Sequence, residues 1–390
     1  MKLAFICTEM LPSPAIKGGA IQIMIDGVAP LLARRHDLTI YSITDPKLPN
    51  LETRDGIRYI RFPASAYVGS VARSLSKHAY DVVHVFNRPR NVSRYKAAAP
   101  ASKFVVSLHN DMFNRAKLGD SEGLRAIRDA EKIITVSDYI GSTVTQRFPS
   151  ARPKVQTVYS GFDLSRYRTA WDPEAPGIRA RLLKKYGLTG KKVVLFVGRL
   201  TDKKGPHILI KAMKEVWSEH PDAALVIVGG KWFSDNTVND YVRELYAMAK
   251  PYGNKIKFTK FVPADQIPDY YLMADVFVCS SQWQEPLARV HYEAMAAGVP
   301  IVTTDRGGNA EVIRDMDNGL VVQDYWKPSA FARNINYLLS RPDEARRMAI
   351  NGRRFVEDDF TFEHVADRLD RVYEEAFGVA VASRRRSRRR

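Results

Sequence analysis

The feature that most limits the fold of this chain is a rhythm. Short apolar, β-rich runs alternate with helical stretches along nearly its whole length. In the first half the strand candidates are residues 2–7, 37–42, 57–61, 81–86, 103–108, 132–136 and 155–159. In the second they are 192–197, 223–228, 255–259, 276–279, 300–303 and 320–322. Continuous apolar strands separated by helices specify parallel sheets covered on both faces. The segment GPHILIKAMKEVWSEHP shows one helical stretch in detail. Pro206 suits a first helical turn, Leu209, Met213, Val216 and Trp217 form one stripe at i, i+4, i+7 and i+8, and Pro221 stops it.

A length of 390 residues exceeds one ordinary core and suits two α/β domains. Between Tyr167 and Gly190 the strand rhythm lapses, and TAWDPEAPG, rich in Pro and turn formers, reads as an interdomain linker. Two doubly wound lobes are therefore expected, 1–167 and 168–360. In open parallel sheets ligands bind beyond the carboxyl ends of the strands. Two such lobes facing one another would enclose a central cleft.

Charge and composition narrow the class. Apolar residues at 45% and charged residues at 26% are the balance of a folded soluble protein. No apolar run approaches the ~20 residues needed to span a bilayer. The first residues, MKLAFICTEM, are interrupted by Thr8 and Glu9, a poor signal peptide and a good first strand. Cys7 and Cys279 both sit in apolar runs, as expected for thiols kept reduced in the cytoplasm. The net charge is +17, and six of the positives are the arginines of the tail, Arg384 to Arg390 around Ser387. The body is basic without them, so the chain should attract nucleotides, phosphate-bearing acceptors, acidic polymers or membrane surfaces. Residues 379–390 read as a basic disordered tail. No DNA- or RNA-binding motif accompanies the charge, which argues against a specific nucleic-acid partner.

Four segments could carry chemistry. In QWQEPLARVHYEAMAAGVPIV, Pro286 is expected to open a helix just after Glu285, and Gly298 to Pro300 to end it. Leu287, Ala288 and Arg289 would then offer backbone N–H groups at a positive helix end, a seat for phosphate. Glu293 would fall two turns along the same helix. The two carboxylates suit sugar hydroxyls, and equally a helix cap and a salt-bridged surface position. In VVLFVGRLTDKKGPHIL, Gly198 allows a tight exit from the strand, and Arg199 and Lys204 follow on the loop. Two cations there suit a diphosphate, or an ordinary solvated loop. Gly18 and Gly19 follow the first strand and would let the backbone approach an anion, though a simple flexible turn needs no more. In SLHNDMF, His109 ends a buried strand beside Asn110 and Asp111, where a structural histidine is the plainer reading. No zinc spacing, Walker loop, G-x-G-x-x-G fingerprint or G-x-S-x-G elbow is present.

Together these pieces resemble the GT-B glycosyltransferases of family 4, a large retaining group. The likeness rests on Glu285 and Glu293 within EPLARVHYEAMAAGVP, on GRL with the following KG at Lys204 and Gly205, on IVGG, and on RGGNAEVI. In the first lobe it rests on GGA, LHND, TVSDY and YSGFD. A narrower likeness is to spore-coat-associated members from bacilli, carried by GGAIQI, FVGRL and SSQWQEPLARVHYEAMAAG. The sequence departs from many relatives in having Ala288 in place of Gly and Arg289 in place of an apolar residue. The resemblance implies a metal-independent, cofactor-free transferase of the hexosyl type. Its donor would be a UDP- or GDP-type sugar, and its acceptor a glycan, a lipid-linked molecule or a coat-associated one. It implies a cytoplasmic protein, peripheral at most to the membrane or spore coat.

The resemblance also implies roles. Arg199, Lys204, Glu285 and His109 would be catalytic. Gly18, Gly19, Gly198, Lys231, Phe261, Val262, Pro286, Leu287, Ala288, Arg289 and Glu293 would bind the donor. Asn110, Asp111 and Ser137 would face the acceptor. Attack would come from the leaving-group face through an oxocarbenium-like state, with no covalent nucleophile. A helix at about 361–378 would cross back to the first lobe. The competing expectation is a catalytically silent GT-B coat protein. A sugar phosphorylase would need pyridoxal phosphate on a lysine, for which the sequence holds no marker.

Overall fold

A computed structural model describes residues 1–231 and 237–378, so the arginine tail lies outside the described residues. The chain divides into two compact units, Met1–Gly161 with the segment from Phe362, and Phe162–Thr361.

The first unit is built on an eight-stranded sheet. Its strands are β1 (Lys2–Ile6), β2 (Asp37–Ile43), β3 (Leu51–Arg54), β4 (Ile57–Phe62), β5 (Val82–Phe86), β6 (Lys103–Leu108), β7 (Lys132–Thr135) and β8 (Val155–Thr157). Their order is β3-β4-β2-β1-β5-β6-β7-β8, parallel throughout except for β3 on β4. Helices α1 (Ala20–Ala33), α2 (Tyr67–Leu75), α3 (Val92–Ala98), α4 (Asp120–Asp129) and α5 (Asp138–Arg147) connect them. The pleat sends alternate residues to opposite faces. Ala4 and Ile6 of β1 join a core with residues of α2 to α5, while Leu3 and Phe5 join one with α1.

The last described helix, α13 (Phe362–Phe377), completes that second face. Val365, Ala366, Leu369, Val372, Tyr373 and Ala376 form its buried stripe. Burying an aliphatic or aromatic side chain is worth about 1.5–3 kcal/mol, so this helix is a structural part of the unit rather than an appendage. His36 Nε2 lies 2.6 Å from Asp370 Oδ1, and Arg35 pairs with the other oxygen at 2.8 Å.

Of the hairpin β3–β4, the strand expected at 57–61 is β4, while β3 was not expected. Asp55 and Gly56 form its two-residue loop with φ of 53° and 76°. Tight hairpins favour an Asp-Gly pair in this left-handed region.

The second unit has six parallel strands in the order β11-β10-β9-β12-β13-β14. They are β9 (Lys192–Val197), β10 (Ala223–Val228), β11 (Ile256–Lys260), β12 (Val276–Cys279), β13 (Ile301–Thr304) and β14 (Leu320–Val322). The helices are α6 (Ala175–Tyr186), α7 (Pro206–Glu219), α8 (Asp240–Ala249), α9 (Ile267–Leu272), α10 (Val290–Ala296), α11 (Pro328–Ser340) and α12 (Pro342–Asp359). In α7 the expected stripe is buried at Leu209, Met213 and Val216, and Trp217 packs against the same core while its indole N–H donates to Ala223 O at 2.9 Å.

The division of the chain differs from the reading of Tyr167 as the break and of TAWDPEAPG as a linker. Phe162 already belongs to the second unit, where its N–H donates to Phe360 O at 3.1 Å and its ring stacks on Tyr292. The Pro-rich stretch is laid on that unit as well. Ala170 N–H donates to Ala297 O at 2.9 Å, and the Trp171 ring lies so close over Gly298 that a Cβ there would be 2.5 Å away. No helix of the described residues is long and apolar enough to cross a membrane.

Candidate active site

In the second unit the chain runs from β9 outward to β11, then returns to β12 on the other side of β9. The strand order therefore reverses between β9 and β12, the place where open α/β sheets bind ligands. The loop after β9 carries Gly198, Arg199 and Lys204, and the loop after β12 carries Glu285 to Arg289. Lys231 follows β10, and Phe261 and Val262 follow β11, at the same carboxyl edge.

Backbone contacts stitch these loops together. Gln282 N–H donates to Lys203 O at 2.7 Å, and the Ser280 hydroxyl donates to Lys204 O at 3.1 Å. Gly205 has φ of 72°, and a Cβ there would sit 2.0 Å from Ser280 O. Gly229 faces Gly198 O equally closely, so both positions admit only glycine without moving backbone.

The approach brings Lys204 and Glu285 into a salt bridge across 81 residues of sequence. Lys204 Nζ bonds Glu285 Oε1, which also accepts the Ser281 hydroxyl at 2.8 Å. The Thr304 hydroxyl in turn donates to Ser281 O at 3.0 Å. Glu285 is 3% exposed. Burial pushes its carboxyl up, but the charge and hydrogen bond of Lys204, with Ser281, outweigh burial and hold it below the usual carboxylate value. The result is an ionised carboxylate held in place at a strand end.

The helix after β12 begins later than expected. Pro286 does not open it; α10 starts at Val290, so Glu293 lies in its first turn rather than two turns along. Residues 285–289 instead run beside the loop after β13. Gly308 N–H donates to Glu285 O at 2.8 Å, and Gly307 N–H to Gln284 Oε1 at 2.5 Å. A Cβ on Gly307 would lie 2.0 Å from Glu285 O. These bonds capture the backbone before it can coil. Ala288 N–H, expected to be open for phosphate, donates to Asn309 Oδ1 at 3.3 Å. Glu293 does not meet Glu285's partners; Tyr271 O–H donates to its Oε2 at 3.0 Å. Burial, then the Glu293 charge, keeps the Tyr271 phenol protonated.

In the first unit, Gly18 and Gly19 follow β1 with φ of 73° and 100°. A Cβ on Gly19 would meet Gln22 Oε1 and Leu11 at 2.6 Å, while Gly18 borders open space. His109 follows β6; its N–H donates to Asn87 Oδ1 at 3.0 Å and its ring stacks on Phe86. Asn110 and Asp111 come next, and Asp111 O accepts from Asn114 and Lys117. Ser137, expected on the acceptor side, is fully buried, and its hydroxyl caps α5 by accepting Ile140 N–H at 3.2 Å. Its position at a strand-to-helix junction explains this, because such a turn needs a cap.

Sequence reasoning missed Ser281, Thr304, Gly307, Asn309 and Tyr271, which hold the two carboxylates and their loop. Gly307 and Asn309 lie within RGGN, a visible signal without an evident role. Among the described residues no group of three His, Cys, Asp or Glu side chains could hold a metal ion.

Two units of largely parallel α/β sheet are the architecture of GT-B glycosyltransferases. The chain belongs to the glycosyltransferases: residues 179–355 match the family described as Glycosyl transferases group 1, and residues 18–166 match Glycosyltransferase Family 4. Two similar proteins come from Bacillus subtilis (strain 168). YtcC, which carries a glycosyltransferase name, is 53% identical over 96% of this chain and 92% of its own. Spore coat protein SA is 48% identical over 96% of this chain and 99% of its own. Among solved structures, Anabaena Alr3699/HepE in complexes with UDP and with UDP-glucose superposes with TM-scores of 0.78 and 0.75. Both are 24% identical and cover 96% of this chain and 100% of theirs.

Proposed function

We propose that this glycosyltransferase moves a hexosyl group, with retention and without a metal, from a UDP- or GDP-type sugar to an acceptor of the cell envelope or spore coat. The observation that carries the reading is the pair between the half-buried Lys204 and the buried Glu285 where the second unit's strand order reverses. Lys204 and Arg199 would stabilise the diphosphate as it leaves, the electrostatic assistance that a departing dianion needs. Glu285 would then hold hydroxyls of the transferred sugar through an oxygen that Lys204 and Ser281 do not use. Glu293, oriented by Tyr271, would hold the ribose, and Lys231, Phe261 and Val262 would line the base. The turn from Leu287 to Arg289 stays in the phosphate role as a loop. In the first unit, Gly18, Gly19 and His109 keep a donor role and Asn110 and Asp111 an acceptor role, while Ser137 drops out. The UDP and UDP-glucose complexes of HepE support a nucleotide-sugar donor.

The test is a thermal-shift series with UDP, GDP and their sugars on wild type and Glu285→Gln, followed by assay of nucleoside-diphosphate release. A stabilising nucleotide, with release that falls at least a hundredfold in the variant, is expected. Equal release by both proteins refutes the role of Glu285. The 48% identity to a protein named for the spore coat favours one second reading, a coat component without turnover. Binding of nucleotide without release from any donor, across envelope and coat extracts, would select it.

A further inference from the structure

The segment that carries Glu285 is held from one more side, by a residue that none of the roles above uses. His291 lies in the first turn of α10 and is fully buried, as are its helix neighbours Tyr292, Ala294 and Met295. An imidazole in such a place needs hydrogen bonds at both nitrogens, because a polar group kept from water without partners is costly. Both bonds are made. Nδ1 lies 2.8 Å from Ala288 O, and Nε2 lies 2.7 Å from the Thr303 hydroxyl on β13. A carbonyl oxygen only accepts, so Nδ1 carries a proton whether the ring is neutral or charged. The α10 backbone reaches Ala288 O less closely, with His291 N–H at 3.3 Å. Burial works against charge on the imidazole, but Cys279, the Ala288 carbonyl and Glu285 outweigh it and raise the ring above its usual value. With both nitrogens engaged and no exposure, this histidine is placed to hold rather than to exchange protons with a substrate.

What it holds is the end of a short, stiff segment. Gly308 N–H donates to Glu285 O at 2.8 Å, and Ala288 N–H donates to Asn309 Oδ1 at 3.3 Å. Both of these anchors come from the loop after β13. Pro286 restricts the backbone between them. His291 adds the anchor at the Ala288 carbonyl, and through Thr303 it ties that carbonyl to the sheet. Ala288 is thus gripped at its amide and at its carbonyl, and the stretch back to Glu285 has little freedom to rotate.

We propose that His291 is a positioning residue for Glu285: its Nδ1–H fixes the Ala288 carbonyl, and with it the segment that sets the carboxylate beyond β12. Its effect on turnover rests on the reading of the chain as a transferase; the grip on the segment does not.

The test uses the full chain and separates the two nitrogens. In His291→Asn the amide NH2 stands where Nδ1 was and can still reach Ala288 O. In His291→Gln it stands near Nε2 and can reach only Thr303. His291→Met keeps apolar volume without either bond, and Thr303→Val removes the Nε2 partner alone. Hydrogen exchange of residues 284–292 is followed by mass spectrometry, beside release of nucleoside diphosphate from UDP-glucose and GDP-mannose. The Gln and Met variants are expected to exchange about tenfold faster than wild type in that segment, and the Asn and Thr303→Val variants within about threefold of it. Release at saturating donor should follow the same division, with kcat down about tenfold in Gln and Met and KM little changed, since misplaced groups cost orientation more than binding. Thermal midpoints should fall in all four, so a merely structural role would not divide Asn from Gln. Equal exchange in the Asn and Gln variants, or rapid exchange in Thr303→Val, overturns the proposal. Divided exchange with undivided release from a donor that wild type uses overturns the link to Glu285. If wild type releases nothing from either donor while exchange divides as expected, the transferase reading fails and the grip of His291 stands.

Discussion

Replacing Lys204 by Met tests whether the pair with Glu285 is an electrostatic device or a surface decoration. Lys204's side chain is 20% exposed and that of Glu285 is 4% exposed. Removing one member of a buried ion pair typically costs about 3–5 kcal/mol, because the other charge stays buried and uncompensated. Ser281 still donates to Glu285 in the variant, so the lower end, about 3 kcal/mol, is expected near neutral pH. The pH dependence is the sharper test. In the wild type the folded-state carboxyl titrates below its unfolded value. Its contribution to stability is present above the unfolded value and disappears as pH falls through the folded one. Without Lys204, burial is largely unopposed and raises the folded value above the unfolded one. The variant then carries a penalty at neutral pH that shrinks as pH falls through the raised value. Urea denaturation of both proteins between pH 7.5 and 4.5 should show a stability gap that is widest near neutrality and closes on acidification. A gap that stays constant over that range, or lies under about 0.5 kcal/mol throughout, refutes the reasoning and makes the pair an ordinary exposed one.

Gly205→Ala should destabilise the second unit by at least ~2 kcal/mol, since it combines a left-handed backbone with a carbonyl 2.0 Å from the new methyl. Equilibrium unfolding reads this, and an unchanged midpoint would contradict the close approach. Tyr271→Phe removes the hydrogen bond that orients Glu293, so UDP or GDP should bind roughly fivefold more weakly, about 1 kcal/mol. Pyrophosphate, which lacks ribose, should bind as before, and equal weakening of both would separate Glu293 from ribose. Asp370→Asn should cost about 2 kcal/mol at neutral pH through its bonds to His36 and Arg35. Burial raises the Asp370 carboxyl, but the His36 and Arg35 partners outweigh it and hold it low. The deficit should fade only as pH drops below the ordinary carboxylate range, which thermal melts at pH 3.5 and 7 would check.

The strands were legible because parallel strands buried on both faces leave an unbroken apolar signature. Residues 103–108, 192–197, 223–228, 276–279 and 320–322 are read from the sequence with the bounds the structure has. The edge strand β3 was not, since LETR is polar and half-solvated, although Asp55–Gly56 marked its turn. Helix α6 hid behind the turn formers of TAWDPEAPG, whose tertiary contacts overrode their linker-like composition. At the site, sequence order placed Arg199, Lys204 and Glu285 beyond strand ends, and the topology put them on one edge. What it could not reveal was a contact across 81 residues, or the capture of residues 284–288 by Gly307, Gly308 and Asn309. Local rules put a helix start at Pro286; backbone bonds from a loop twenty residues later moved it to Val290.

The return of α13 to the first unit has a consequence for the birth of the protein. As the chain leaves the ribosome, residues 1–161 emerge first but lack the helix that covers Phe5, Met24 and Val28. Residues 162–361 are uninterrupted and can complete their own sheet without waiting for α13. The unit that is made first is thus the one completed last, and until then it shows the surrounding cell an apolar sheet face on which chaperones can act.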